Sequence, residues 1–224
     1  MATWLITGAN RGIGLEMVRQ LAAKGERVIA TARDPGAATE LRSIAAQILP
    51  LDVASPASVE ALGVAIQGLP IDVLVNNAGV SSTSKTLATI DAAEMARVMA
   101  INAMGPILTT KAAIDSLRAG SRKVVVHITS QLGSIANNSG GSTYAYRASK
   151  AALNQFNRSL SNELAPEGFT CVAIHPGWVK TDMGGPSAHL TPEQSVRSML
   201  GVIATLGVDR SGAFLNYDGQ PLPW

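Results

Sequence analysis

This chain has almost no cysteine. Its one cysteine, Cys171, can form no internal disulfide, which fits a reducing compartment and sets the expectation of a cytoplasmic protein. Dense runs of Lys and Arg are missing too, and the formal net charge is only +2. Nucleic-acid binding therefore has no electrostatic footprint here. No uninterrupted apolar stretch reaches the length of a bilayer span, so no membrane partner is expected. The opening residues, MATWLITGAN, lack a basic segment followed by a long apolar run, and no signal peptide is expected. Histidine is scarce: His127, His175 and His189 show no metal-ligand spacing, so no metal is implied. No repeat or low-complexity tract interrupts the chain. What is present is apolar. Of 224 residues 46% are hydrophobic and 15% charged, which suits a large buried core.

Short β-branched runs alternate with longer helical patterns. Runs at 3–7, 27–31, 46–50, 72–76, 123–129, 169–175 and 212–217 read as strands. Two of them, DVLVN and KVVVHIT, are nearly all apolar, as strands covered on both faces must be. Strand–helix–strand repetition predicts right-handed crossovers and a parallel sheet. Ser55 before Pro56 reads as a helix N-cap, and Thr191-Pro192-Glu193-Gln194 adds a capping-box glutamine. The stretches 133–143 and 184–190 read as loops. By composition either suits a domain linker, but they separate motifs that must meet in space. One domain over 1–224 is expected.

The first strand runs into TGANRGIG, residues 7 to 14. Gly8, Gly12 and Gly14 let the backbone turn and approach a ligand, while the following helix aims free N–H groups at a phosphate. The spacing T-G-x-x-x-G-x-G differs from the G-x-G-x-x-G fingerprint. It resembles the short-chain dehydrogenase/reductase family. That resemblance implies a nicotinamide dinucleotide bound along Gly8, Asn10, Arg11, Gly12, Ile13 and Gly14. Where NAD-type members carry an acid after the second strand, this chain has Ala32, followed by Arg33. Arg33 can hold a 2′-phosphate, and Arg11 adds charge near the same corner. Asp34 argues the other way. The expectation is NADP(H), with NAD(H) possible. The resemblance also implies that Asp52 contacts adenine, that Val53 offers its amide, and that Asn76, Ala78 and Gly79 of NNAG pass the cofactor ribose. An ordinary strand-end acid is the rival account of Asp52.

YAYRASK, residues 144 to 150, carries the chemistry. Tyr146 and Lys150 lie four apart, on one helical face. Bringing a phenol from a pKa of ~10 to about 7 takes about 4 kcal/mol. A unit charge about 4 Å away at an effective dielectric of about 20 supplies about that. The expectation is that Lys150, joined by the cationic oxidised nicotinamide, acidifies Tyr146, the general acid for reduction and base for oxidation. By resemblance, Lys150 also holds the nicotinamide ribose, Ser130 stabilises the substrate oxygen, and Asn102 holds a water that extends a proton path. Ser134 is a rival to Ser130, being nearer the usual family distance from Tyr146, but Ser130 ends a strand. The resemblance further implies a turn past the nicotinamide at Pro176 and Gly177, with Val179 and Thr181 on the ring. Leu132, Trp178 and Met183, and more weakly Met104, are candidates for the substrate pocket, with plain core packing as the alternative.

Together these residues predict an α/β fold: a Rossmann-type, doubly wound parallel sheet of about seven strands flanked by helices. The implied activity is hydride transfer between NADP(H) and a small-molecule carbonyl or secondary alcohol. Compact length and the segments HPGWVKTDMGG and FLNYDGQPLPW resemble C-factor-like members and carbonyl reductases. A C-factor-like signalling protein, with turnover secondary, is the alternative. A homodimer or homotetramer paired through long helices is a further expectation from the resemblance.

Overall fold

The computed structural model describes residues 1–224. All seven expected runs are strands, with ends shifted by no more than two residues: β1 (Thr3–Ile6), β2 (Arg27–Ala32), β3 (Gln47–Pro50), β4 (Val73–Asn76), β5 (Val124–Ile128), β6 (Thr170–His175) and β7 (Phe214–Asn216). They form one sheet in the order β3-β2-β1-β4-β5-β6-β7, and every neighbouring pair is parallel. The order reverses between β1 and β4. Chain segments leaving these two strands depart in opposite directions, which opens a crevice above their C-terminal ends.

Six helices cover the sheet: α1 (Gly12–Ala23), α2 (Pro56–Ala65), α3 (Ala92–Met99), α4 (Gly105–Ala119), α5 (Tyr144–Leu164) and α6 (Pro192–Ala204). Strand side chains alternate between two cores. Val73 and Val75 join α1 residues Met17, Val18 and Leu21 and α6 residues Met199 and Ile203 on one face. Leu74 joins Leu62 of α2 and Leu117 of α4 on the other. Burial on both faces is why these strands are apolar throughout. No helix is long and apolar enough to cross a membrane.

The expected caps form. Ser55 Oγ accepts from Ser58 N at 3.3 Å. Thr191 and Gln194 make a reciprocal box, Gln194 N to Thr191 Oγ1 at 3.3 Å and Thr191 N to Gln194 Oε1 at 3.0 Å. One feature was not expected: Ala100–Met104 is a π-helical turn between α3 and α4. Pro106, one residue into α4, has no N–H to give the regular ladder. Widening the turn takes up the mismatch and points Asn102 inward, fully buried.

Candidate active site

A cleft of ≈ 670 Å³ opens above the C-terminal ends of the strands. At one end lie Gly8, Asn10, Arg11, Gly12 and Ile13; at the other lie Thr129, Tyr146 and Lys150. The first end is built for backbone approach. Gly8 has φ +61°, and a Cβ there would stand 2.9 Å from Ala78 Cα. The N-terminus of α1 has no capping side chain and no acid in its first turn. By contrast, Ser55, Asp91 and Thr191 cap α2, α3 and α6. The free N–H groups and partial positive charge of α1 thus remain for an anion. Gly14 departs from its expected role. It does not line the cleft, and a Cβ there would fall 2.5 Å from both Asn77 Nδ2 and Gly8 O. Its bareness serves helix packing.

Arg33 and Asp34 both face the cleft. Asp34 Oδ1 is engaged in its own turn, accepting from Gly36 N at 2.8 Å and Ala37 N at 3.2 Å. Arg33 has no such engagement. Arg11 Nη1 pairs with Asp182 at 3.3 Å across the mouth, both side chains being well exposed. Asp52, Val53, Ala78 and Gly79 line the cleft.

Asn76 does not. It is the last residue of β4, and strand alternation turns its side chain toward α4. Its Nδ2 donates to Thr110 Oγ1 at 3.0 Å and lies 3.2 Å from His127 Nδ1. Asn77, which no sequence argument had singled out, takes the cleft position. It donates to Thr7 O at 2.9 Å and Gly8 O at 3.0 Å, while Thr7 Oγ1 accepts from the amides of Asn77 and Ala78. The clue was available: Asn77 is the first residue past the strand, free of its alternation.

At the chemical end, Lys150 Nζ donates to Ile128 O at 2.8 Å and stands 5.9 Å from the centre of the Tyr146 ring. The protein's own groups do not acidify the phenol. Burial raises the Tyr146 pKa, and a hydrogen bond with Ser130 only partly offsets it. Lys150 itself is pushed down to about 8 by burial. Desolvation is the largest influence on the phenol, and the Lys150 amine is spent on a backbone carbonyl. Beneath them His127, fully buried beside Lys150, is pushed down to about 3 by desolvation and then by that neighbouring charge.

Ser130 Oγ accepts from Leu132 N at 3.1 Å, beside the phenol. Ser134 is turned elsewhere, onto Trp224 O at 3.1 Å. Asn102 grips Val80 twice: Oδ1 accepts from Val80 N at 2.8 Å and Nδ2 donates to Val80 O at 2.9 Å. Its Nδ2 also donates to Ser149 Oγ at 3.1 Å, and Ser149 donates to Tyr146 O at 2.8 Å. Ser149, inside YAYRASK, was overlooked because its neighbours carry the charge and the ring. A Cβ at Gly79 would lie 3.3 Å from Asn102 Oδ1 and 3.7 Å from Lys150 Nζ, so both groups converge there.

Past β6, Pro176, Thr181 and Met183 line the cleft, whereas Gly177 and Val179 do not. Gly177, at φ +82°, lies under the Leu190 and Tyr217 side chains. Val179 is buried and bridges to Leu190. Leu132, Trp178 and Met104 stand outside the cleft proper. Trp178 is about half exposed, donates Nε1 to Gly184 O at 2.8 Å, and meets His189 edge-on at 5.0 Å.

Known proteins carry the same frame. The sequence model for short chain dehydrogenase matches residues 2–190. The chain belongs to the short-chain dehydrogenase family. The C-signal of Myxococcus xanthus is 53% identical over 155 residues, covering 69% of this chain and 93% of that protein. The carbonyl reductase Sniffer of D. melanogaster superposes with a TM-score of 0.95 at 36% identity, covering 100% of both chains. An NADPH-bound carbonyl reductase from chicken fatty liver gives 0.92 at 37% identity, covering 100% of this chain and 99% of that one.

As a short-chain dehydrogenase, the chain is an NAD(P)-dependent oxidoreductase, and its residues fit that coenzyme. The uncapped α1 suits the pyrophosphate. The dehydrogenase cleft also places a titratable phenol and a buried amine at the end remote from those donors.

Proposed function

We propose that this short-chain dehydrogenase is an NADPH-dependent carbonyl reductase with Tyr146 as its proton donor. The observation that carries the reading is the shared cleft: Tyr146 and Lys150 at its head, and an uncapped helix with Arg33 at its foot. Raised by burial, the phenol holds its proton at neutral pH, the state a donor to a carbonyl oxygen needs. Ser130, beside the phenol, offers a hydroxyl to the same oxygen as negative charge develops on it. Lys150 keeps a cationic donor at the cleft floor, and Asn102, clamped on Val80, fixes the wall beside it. Bound NADPH would supply the hydride.

Arg33 is the coenzyme selector in this reading. It is a cation at the cleft with its neighbouring acid engaged by backbone amides. The NADPH-bound chicken carbonyl reductase supports the same choice. Substrate enters beside Met183, with the half-exposed Trp178 at the rim. The test is a panel of aldehydes, ketones and diketones with NADPH and with NADH, followed by loss of coenzyme absorbance. NADPH is expected to support turnover at a coenzyme KM at least about tenfold below that of NADH. Equal use of both coenzymes removes Arg33 from the argument.

A second reading is a signalling role in which turnover is secondary. The 53% identity to the C-signal favours it. Tyr146→Phe separates the two: a cellular role that survives the loss of reduction belongs to the second reading.

A further inference from the structure

Beyond β7 the chain turns back on itself. Asp218 Oδ1 accepts from Asn216 Nδ2 at 2.9 Å and Gln220 N at 3.1 Å, and Gly219 takes φ +86°. The returning segment runs antiparallel to β7, with Asn216 N on Gln220 O and Leu222 N on Phe214 O, both at 2.8 Å. The Trp224 ring then lies tilted on buried Phe214, centroids 5.4 Å apart. This stack presents the Trp224 main-chain carbonyl to the loop that follows Ser130. The oxygen accepts from Ala136 N at 2.8 Å and from Ser134 Oγ at 3.1 Å. Ser134 Oγ in turn accepts from Asn137 N at 3.1 Å.

The same loop is seated on α5 from its other side. A Cβ on Gly133 would fall 2.8 Å from the Lys150 carbonyl carbon and 2.9 Å from its Cβ. At the hairpin's turn, the Tyr217 ring lies against Gly177, where a Cβ would be 3.0 Å from Tyr217 Cδ1. One hairpin therefore touches both loops that border the catalytic end. Residues 135–142 of the loop are all exposed, so hydrophobic burial does not hold them.

We propose that the hairpin of residues 214–224 is a clamp, in which Trp224 and Ser134 are positioning residues that hold the Ser130 loop against Tyr146 and Lys150. The proposal rests on the reading of Ser130 and Tyr146 as groups that act on a carbonyl. It gives a task to Ser134, which competes with Ser130 in the sequence and stands apart from the phenol in the fold. Loops hold catalytic groups less exactingly than strands do, and misplacement by about 1 Å can cost up to about 100-fold in rate. Trp224 is 46% exposed, so truncating it opens no core cavity.

Four variants test the clamp: Trp224→Ala, Ser134→Ala, the double of these two, and Trp224→Phe. In Trp224→Ala, hydrogen exchange at the Ala136 amide is expected to speed up at least about tenfold while α1 exchanges as before. Its kcat/KM for a carbonyl should fall about tenfold, with NADPH affinity kept within about twofold. Trp224→Phe, which keeps a ring on Phe214, should restore both. The Trp224→Ala, Ser134→Ala double variant should be no worse than the poorer single one, because both break one contact. Unchanged exchange at Ala136 would refute the clamp. So would a parallel loss of NADPH affinity, or a Trp224→Phe protein as impaired as Trp224→Ala. Wild-type protein that reduces no carbonyl overturns the reductase reading instead, and the exchange data then decide the clamp alone.

Discussion

Two residues, Tyr146 and Arg33, carry most of the functional argument. On the proposed reading, Tyr146→Phe removes the proton donor and leaves the ring. A fall in kcat/KM of about 10²- to 10⁴-fold is expected, with NADPH binding, measured by fluorescence titration, within about twofold of wild type. Arg33→Ala deletes a charged donor at the coenzyme end. The KM for NADPH should rise about tenfold or more while that for NADH stays put, because a charge-assisted hydrogen bond is worth about 1.5–3 kcal/mol. Both positions are legible from local sequence. A tyrosine four residues before a lysine needs only a helix to bring the pair to one face. The ionisation of the phenol is not legible, because it depends on burial. The sequence places Lys150 beside the phenol but does not show the burial, and desolvation is the largest influence on Tyr146.

At the scale of elements, strand ends set what faces the cleft. Asn76 and Asn77 are adjacent and chemically identical, yet one braces α4 and the other the glycine loop. The period-2 alternation of β4 decides between them, and it requires knowing where the strand stops. The π turn at Ala100–Met104 is only half legible for a related reason: Pro106 withholds an N–H from the ladder, but that the widened turn brings Asn102 onto Val80 depends on the tertiary fit. Asn102→Ala should unfold at lower denaturant concentration, by about 1–3 kcal/mol, since Val80 loses partners for both its N–H and its carbonyl. Gly14→Ala should cost about 1–3 kcal/mol as well, as the added carbon meets Asn77 and Gly8 at 2.5 Å. Urea titration checks both.

The whole molecule sets the response to pH and the site itself. His127 and His175 are buried and held neutral, pushed down to about 3 and about 4 by desolvation. In the unfolded chain they take up protons near pH 6.5. Below that value the unfolded state binds more protons than the folded one, so stability falls as pH falls. Each histidine contributes about 1.4 kcal/mol per pH unit, until His175 titrates in the fold near 4 and His127 near 3. Thermal midpoints should therefore be flat near pH 7–8 and drop steadily from about 6.5 to 4.5. A midpoint unchanged across that range would place these rings in contact with water. Apolar runs, caps and glycine spacing determined the seven strands, the covered parallel sheet and the phosphate end, because each of those features is written within a few neighbouring residues. Tertiary structure alone decided that Lys150 bonds Ile128, that Ser134 turns to Trp224 and that burial raises the pKa of the phenol. These outcomes depend on distant segments meeting and on water being excluded where they meet, and no local pattern encodes either.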